Sequence, residues 1–232
     1  MCGRYTIVAK AEEIEKRFQV EVPEYYLPRY NAAPTQILPV VTNESPSGLS
    51  FFRWGLIPFW AKDISIGSRM INARSETLHE KPSFKQALKK RRCLVPADGF
   101  YEWKKIDAKT RIPHRILMQD GSLFSFAGLW EHYIDPDENQ IYSFTIVTTN
   151  ANERVAPLHD RMPVILTMET EQRWLDDSLD VREHLDLLKP YNAEAIQAYP
   201  VSPGVNKPEN DRPDLIKPAV PTFGNGTPGL FD

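Results

Sequence analysis

Strand-length runs rich in β-branched and aromatic residues follow one another along most of this chain, and no linker divides them. Residues 5–8, 37–42, 50–54, 70–74, 100–103, 124–129, 142–149, 164–166 and 198–201, with a further run near Ile116, read as strands by composition and bounding turn residues. Residues 9–18, 82–90, 170–174 and 182–188 read as helices, with a further short helix after Asn150-Ala151-Asn152. The first is acidic at its start and basic at its end, as the helix dipole favours, and the second opens on Pro82 at the first turn. Residues 29–34 read as a turn-rich loop, and Ala97-Asp98-Gly99 as a turn. With no internal repeat, the expectation is one mixed α and β body over residues 1–202. From Pro203 to residue 232, Pro, Gly, Asn and charge dominate, which predicts an extended, partly disordered tail.

The N-terminus, Met1-Cys2-Gly3-Arg4, carries the most distinctive chemistry. Methionine before a small residue is normally trimmed, which leaves Cys2 with a free α-amine and a thiol on adjacent carbons. Reference pKa values of about 7.7–8.0 and 8.5 leave part of each group nucleophilic at neutral pH. Such a 1,2-aminothiol can take an aldehyde through nitrogen and close a thiazolidine through sulfur, or attack an amide with the amine as its own base. A frayed, arbitrary terminus is the competing reading. Gly3 and the strand at residues 5–8 favour an anchored one.

Net charge is −3, but the halves differ: residues 1–120 hold 20 Lys/Arg against 13 Asp/Glu, and residues 121–232 hold 8 against 18. The basic half suggests an anion-facing surface, sharpest at Lys81, Lys85, Lys89, Lys90, Arg91 and Arg92, which reads equally as a solvated helix face. No apolar run approaches about 18 residues and no signal peptide is evident, so the expectation is a cytoplasmic protein without membrane contact. Two cysteines, Cys2 and Cys93, form no disulfide framework, and five scattered histidines show no metal-ligand spacing. No metal or other cofactor is expected.

Other residues stand out individually. Glu102 lies between Tyr101 and Trp103, where desolvation would suit a general acid/base; an exposed strand glutamate is the alternative. His159 sits in a proline-bracketed loop as a proton carrier or a structural histidine. Asn72 and Arg74 share one strand face, and Arg4, Arg74 and Arg161 offer bidentate forks for phosphate. Phe59 and Trp60 after Pro58 form either a base-stacking platform or a buried corner.

Six segments, in order, resemble one family: Met1-Cys2-Gly3-Arg4-Tyr5, Arg29-Tyr30-Asn31-Ala32-Ala33-Pro34, Trp54-Gly55-Leu56-Ile57-Pro58, Ile71-Asn72-Ala73-Arg74-Ser75-Glu76, Pro96-Ala97-Asp98-Gly99-Phe100-Tyr101-Glu102-Trp103 and His159-Asp160-Arg161-Met162-Pro163. Together they are similar to the SOS response-associated peptidase (SRAP) family of abasic-site shielding proteins. The resemblance implies an α+β fold, a single compact domain with a curved, largely antiparallel, barrel-like sheet, flanking helices and a cleft at the N-terminus. It implies a monomer that binds abasic sites in single-stranded DNA in the DNA-damage response and crosslinks through Cys2 once Met1 is removed, by an aminopeptidase or by self-processing. By position it makes Glu102 the acid/base, ties His159 to strand cleavage and crosslink reversal, and has Asn72 orient the lesion. Arg4, Arg74 and Arg161 then match phosphate ligands, and Pro58, Phe59 and Trp60 a stacking loop. Asn31 and Pro34 fall in a matching segment and join the expected DNA contacts. Phe59 departs from the tryptophan common there. An N-terminal nucleophile hydrolase and a non-covalent single-strand binding module remain rivals. A replication or repair partner of the tail stays unidentified.

Overall fold

The computed structural model describes residues 2–220 and the backbone of Thr222–Phe223 and Thr227–Pro228. The chain lays down β1 (Tyr5–Ile7), α1 (Ala11–Phe18), β2 (Arg29–Ala32), β3 (Ile37–Thr42), β4 (Ser45–Trp54) and β5 (Asn72–Arg74). α2 (Pro82–Lys90), β6 (Arg92–Ala97), β7 (Gly99–Lys105), β8 (Arg111–Met118), β9 (Phe124–Ile134) and β10 (Gln140–Asn150) follow. β11 (Arg161–Pro163), β12 (Ile165–Leu166), α3 (Met168–Leu175), α4 (Val181–Asp186) and β13 (Ile196–Pro200) complete the body.

One ladder of strands closes on itself, running β10–β4–β3–β6–β9 and back to β10, with every junction antiparallel except β4 with β10. Closure removes the unpaired edges that open sheets must protect. β9 is buried continuously from Phe124 to Glu131, as a strand covered on both faces should be, and so it shows no apolar–polar alternation. β5 and β11 both pair with the end of β10, at residues 146–148 and 148–150. That end of the ring is where the candidate site assembles.

A second sheet, ordered β13–β8–β7–β1–β2, packs on the ring. Tyr5 of its inner face meets Trp54 and Phe126 edge-on at 5.3 and 5.9 Å. Phe100 meets Phe126 at 5.9 Å. Burying each such ring contributes about 1.5–3 kcal/mol. The expected turn at Asp98 is instead a corner: β6 belongs to the ring and β7 to the second sheet, so the two do not form a hairpin. The Asp98 carboxylate accepts from the Thr6 hydroxyl, the Val8 amide and the Arg115 guanidinium, which fixes the angle between the sheets.

Residues 29–34 are not merely a loop, because β2 pairs with β1 as the edge of the second sheet. Its outward amides at Tyr30 and Asn31 donate to Asp211 at 2.6 and 3.1 Å. Residues 203–219, expected to begin the tail, form a strap across the outer face of that sheet. Val205 and Leu215 are buried with Tyr101 and Val201. The Asn31 amide donates to the carbonyls of Val205, Lys207 and Asn210 at 3.2, 3.1 and 2.8 Å. A segment held through its own carbonyls needs little apolar composition, so the disorder signature misleads here. The tail expected over residues 221–232, and the Met1 expected to be removed, lie outside the described residues apart from the pairing of Thr222–Phe223 with Thr227–Pro228.

Asp211→Ala strands two sheet-edge amides and frees Arg29, its ion-pair partner at 3.0 Å. The expected loss is about 2 kcal/mol of unfolding free energy, from hydrogen bonds worth about 0.5–1.5 kcal/mol each and more when charged. Urea unfolding with an unchanged denaturant slope measures it; a midpoint equal to the parent's would show that water replaces the carboxylate.

Candidate active site and nucleic-acid interface

Strand β1 decides where the N-terminus lies. Tyr5 and Thr6 pair with Phe100 and Gly99 of β7, and the Tyr101 amide donates to the Arg4 carbonyl at 3.0 Å. Cys2 and Gly3 precede the ladder, which that bond extends only as far as Arg4. Cys2 is 0% exposed, so residue 2 is not frayed. Asn72 of β5 donates its side-chain amide to the Cys2 carbonyl at 2.8 Å, and the Cys2 Sγ points at the Arg4 carbonyl at 3.7 Å. Burial pushes the thiol pKa up, and the Glu102 charge adds to the effect. At neutral pH this sulfur is a thiol, and it can attack only by passing its proton to a base.

Glu102 is buried, and desolvation raises its carboxyl to about 7 against the pull of the positive chain terminus. A carboxyl poised there can give and take a proton at neutral pH. His159 stands at the rim. Its Nδ1 lies 2.9 Å from the Arg161 amide and 2.8 Å from the Asp160 carboxylate. The amide can only donate, so in the neutral ring Nδ1 accepts and Nε2 carries the proton. Contact with Asp160 would favour the imidazolium instead. Burial, with the positive terminus and Arg111, prevails and lowers the pKa. Between these groups opens a cleft of about 400 Å³ lined by Glu102, Trp103, Arg111, His159 and Asn206.

The three arginines expected at phosphates part company. Arg74 is exposed on β5. Arg161 is buried and binds the Glu76 carboxylate through two nitrogens at 2.6 and 3.0 Å, with further bonds to Asn150 and the Thr148 carbonyl. Its backbone amide is what orients His159. Arg4 donates to Asn31 Oδ1 at 3.0 Å and to the Val205 carbonyl at 2.7 Å, with burial lowering its pKa. As placed, Arg4, Asn31 and Arg161 hold the protein to itself, and Arg74 alone of the three arginines faces solvent freely.

The sequence matches the family described as SOS response associated peptidase (SRAP) over residues 1–208. The chain belongs to the SRAP family. It is 49% identical over 222 residues to the abasic site processing protein YoqW of Bacillus subtilis (strain 168), covering 94% of this chain and 99% of that protein. It is 32% identical to the abasic site processing protein HMCES of Rattus norvegicus, covering 85% of this chain and 67% of that one. Among solved structures it is similar to a Bacteroides thetaiotaomicron protein, with a TM-score of 0.86 at 31% identity, covering 94% of this chain and 100% of that one.

In this SRAP chain the aromatic loop is presented rather than buried. Gly55 has φ +123°, and a Cβ there would lie 2.5 Å from the Gly67 carbonyl oxygen, so two backbones pinch together at the loop's base. Leu56, Ile57 and Pro58 turn inward, and the Ile57 amide donates to Ser143 Oγ at 2.8 Å. Phe59 and Trp60 then project, 57% and 47% exposed. Pro34 is half-buried at the end of β2. Trp60→Ala is expected to weaken single-strand binding about ten-fold, since stacking contributes about 1–3 kcal/mol per base. Unfolding free energy should move by no more than about 0.5 kcal/mol. A destabilised variant that binds normally would make Trp60 a structural residue.

Sequence reasoning missed Glu76, Arg111, Asn206 and Asp211 as parts of the SRAP site and its frame. Glu76 lay within a matching segment and could have been paired with Arg161; nothing local signalled the other three. Among the described residues no cluster of His, Cys, Asp and Glu is arranged to hold a metal, and no helix is long and apolar enough to cross a membrane.

Proposed function

We propose that this SRAP protein captures abasic sites in single-stranded DNA as a covalent thiazolidine on Cys2, in the response to DNA damage. The observation that carries the reading is a fully buried Cys2, pinned by Asn72 through its carbonyl and near enough to Glu102 for that carboxylate's charge to act on its thiol. The relatives named abasic site processing proteins support the choice of lesion. In this reading Met1 is removed, and the ring-opened deoxyribose offers its aldehyde. The Cys2 amine adds to the carbonyl carbon, and protonated Glu102 gives its proton to the departing hydroxyl, so water leaves and a protonated imine, an iminium that keeps its N–H, forms. The thiol then adds to the imine carbon, and the Glu102 carboxylate receives the sulfur's proton. Glu102 returns to its starting state, and the net change is one water released. His159, with its proton on Nε2, serves the sugar oxygen in ring opening and the steps that cleave the strand or reverse the link. Arg74 meets phosphate, and Phe59 and Trp60 stack on neighbouring bases.

Incubation with an oligonucleotide bearing one abasic site, followed by a denaturing gel, tests this against its rivals. A stable adduct only with abasic DNA is expected. Binding without an adduct would favour the non-covalent module, and amide hydrolysis without DNA binding the hydrolase. Arg74→Gln is expected to reduce the slope of log K against log salt by about 0.7, the value for one phosphate of a single strand. An unchanged slope would remove Arg74 from the interface.

A further inference from the structure

The cleft has a wall that the chemistry above does not use. Asn206, on the strap, is exposed, and its Oδ1 accepts from the Trp103 indole at 2.7 Å. An indole N–H can only donate, so this bond settles which end of the amide is oxygen. The two N–H donors of Asn206 are therefore free to turn to the cleft. Opposite stands Arg111, exposed on β8 and, among the described residues, in no ion pair. Arg111 pairs across the ladder with Lys105, in a hairpin that also carries Lys104 and Lys109. Its charge reaches His159, whose pKa it helps to lower. Arg111 and Asn206 share the cleft lining with Glu102 and His159.

We propose that Arg111 and Asn206 form an anion subsite that binds one phosphodiester oxygen of the strand beside the lesion. This rests on the abasic-site reading. A planar guanidinium and a pre-oriented amide supply donors and no acceptor to the ligand, which is what a phosphate anion requires. Arg4 and Arg161, whose donors are taken internally, leave that role open. The subsite fixes the register of the strand, so that the aldehyde arrives at Cys2 while Glu102 and His159 stay on one side of the sugar.

The test is a scan with single-stranded oligonucleotides carrying one abasic site and a single neutral methylphosphonate, moved linkage by linkage past the lesion. The parent protein, Arg111→Gln and Asn206→Asp are compared. Asn206→Asp keeps an acceptor for Trp103 but removes the donors. For the parent, one linkage beside the lesion is expected to weaken binding about ten-fold when neutralised. In Arg111→Gln that linkage should lose its effect while the others keep theirs, a non-additivity that a general structural defect does not produce. Asn206→Asp should behave likewise. Loss profiles in both variants that parallel the parent's would overturn the subsite. Coupling at one linkage with no covalent adduct in the parent would leave the subsite standing and defeat the crosslinking reading instead.

Discussion

Cys2→Ala is expected to abolish the denaturant-stable adduct with abasic DNA while leaving single-strand binding largely intact. The alanine variant keeps its α-amine after Met1 removal, so an imine can still form. Without sulfur nothing closes onto the imine carbon, and the link hydrolyses when the protein unfolds. Cys2→Ser should also fail, since a ring closed through oxygen is hydrolytically labile. An N-terminal extension that keeps residue 1 in place should block the adduct by a different route, because it removes the free amine. The readout is a denaturing gel beside a native binding assay on the same samples. A stable adduct in Cys2→Ala would end the thiazolidine mechanism.

Glu102→Gln keeps the shape and most of the hydrogen bonding of the side chain but cannot exchange a proton. Adduct formation should slow by about 10²-fold at neutral pH, within the usual range for a positioned acid/base. In the parent, the acid form is lost as pH rises through about 7, so that limb of the rate profile should vanish in the variant. Stability should move the opposite way. Because burial raises the folded pKa above the usual 4.5, folding takes up a proton. The contribution is fully present below about pH 4.5 and is lost as pH rises through about 7. The glutamine variant escapes that loss, and at pH 8 it should be more stable than the parent, by up to about 3 kcal/mol at 1.36 kcal/mol per unit. At pH 4.5 the two should unfold alike. A variant that crosslinks at the parental rate would take Glu102 out of the proton transfers.

Where the sequence led correctly, it did so through local chemistry. The strand runs rest on composition and bounding turns, the second helix on Pro82 at its first turn, and the separation of Glu102 from Tyr101 on alternation, and the structure keeps them. What stayed hidden depends on partners distant in the chain. The charge of Arg161 is plain in the sequence, but its neutralisation by Glu76, 85 positions away, is not. Arg4 offers a fork suited to phosphate, and the strap that takes its donors, 201 positions on, read as disordered. Residues 29–34 carry polar and proline residues because an edge strand pairs on one side only, with Asp211 serving the other. Asp98 had the composition of a turn, yet the choice between hairpin and corner was set by which sheet each flanking strand joins. The nearness of Cys2 to Glu102 depends on β1 lying beside β7, a pairing which no window of sequence contains.

The central claim is that Cys2, freed of Met1, holds the lesion in a thiazolidine. Intact-mass and peptide-mapping spectrometry of protein incubated with an abasic oligonucleotide addresses it directly, with and without borohydride. One adduct is expected, with the mass of the chain beginning at Cys2 plus the oligonucleotide less one water, mapped to Cys2 and unchanged by the reductant. An adduct that maps to a lysine, or that appears only after borohydride trapping, would contradict it.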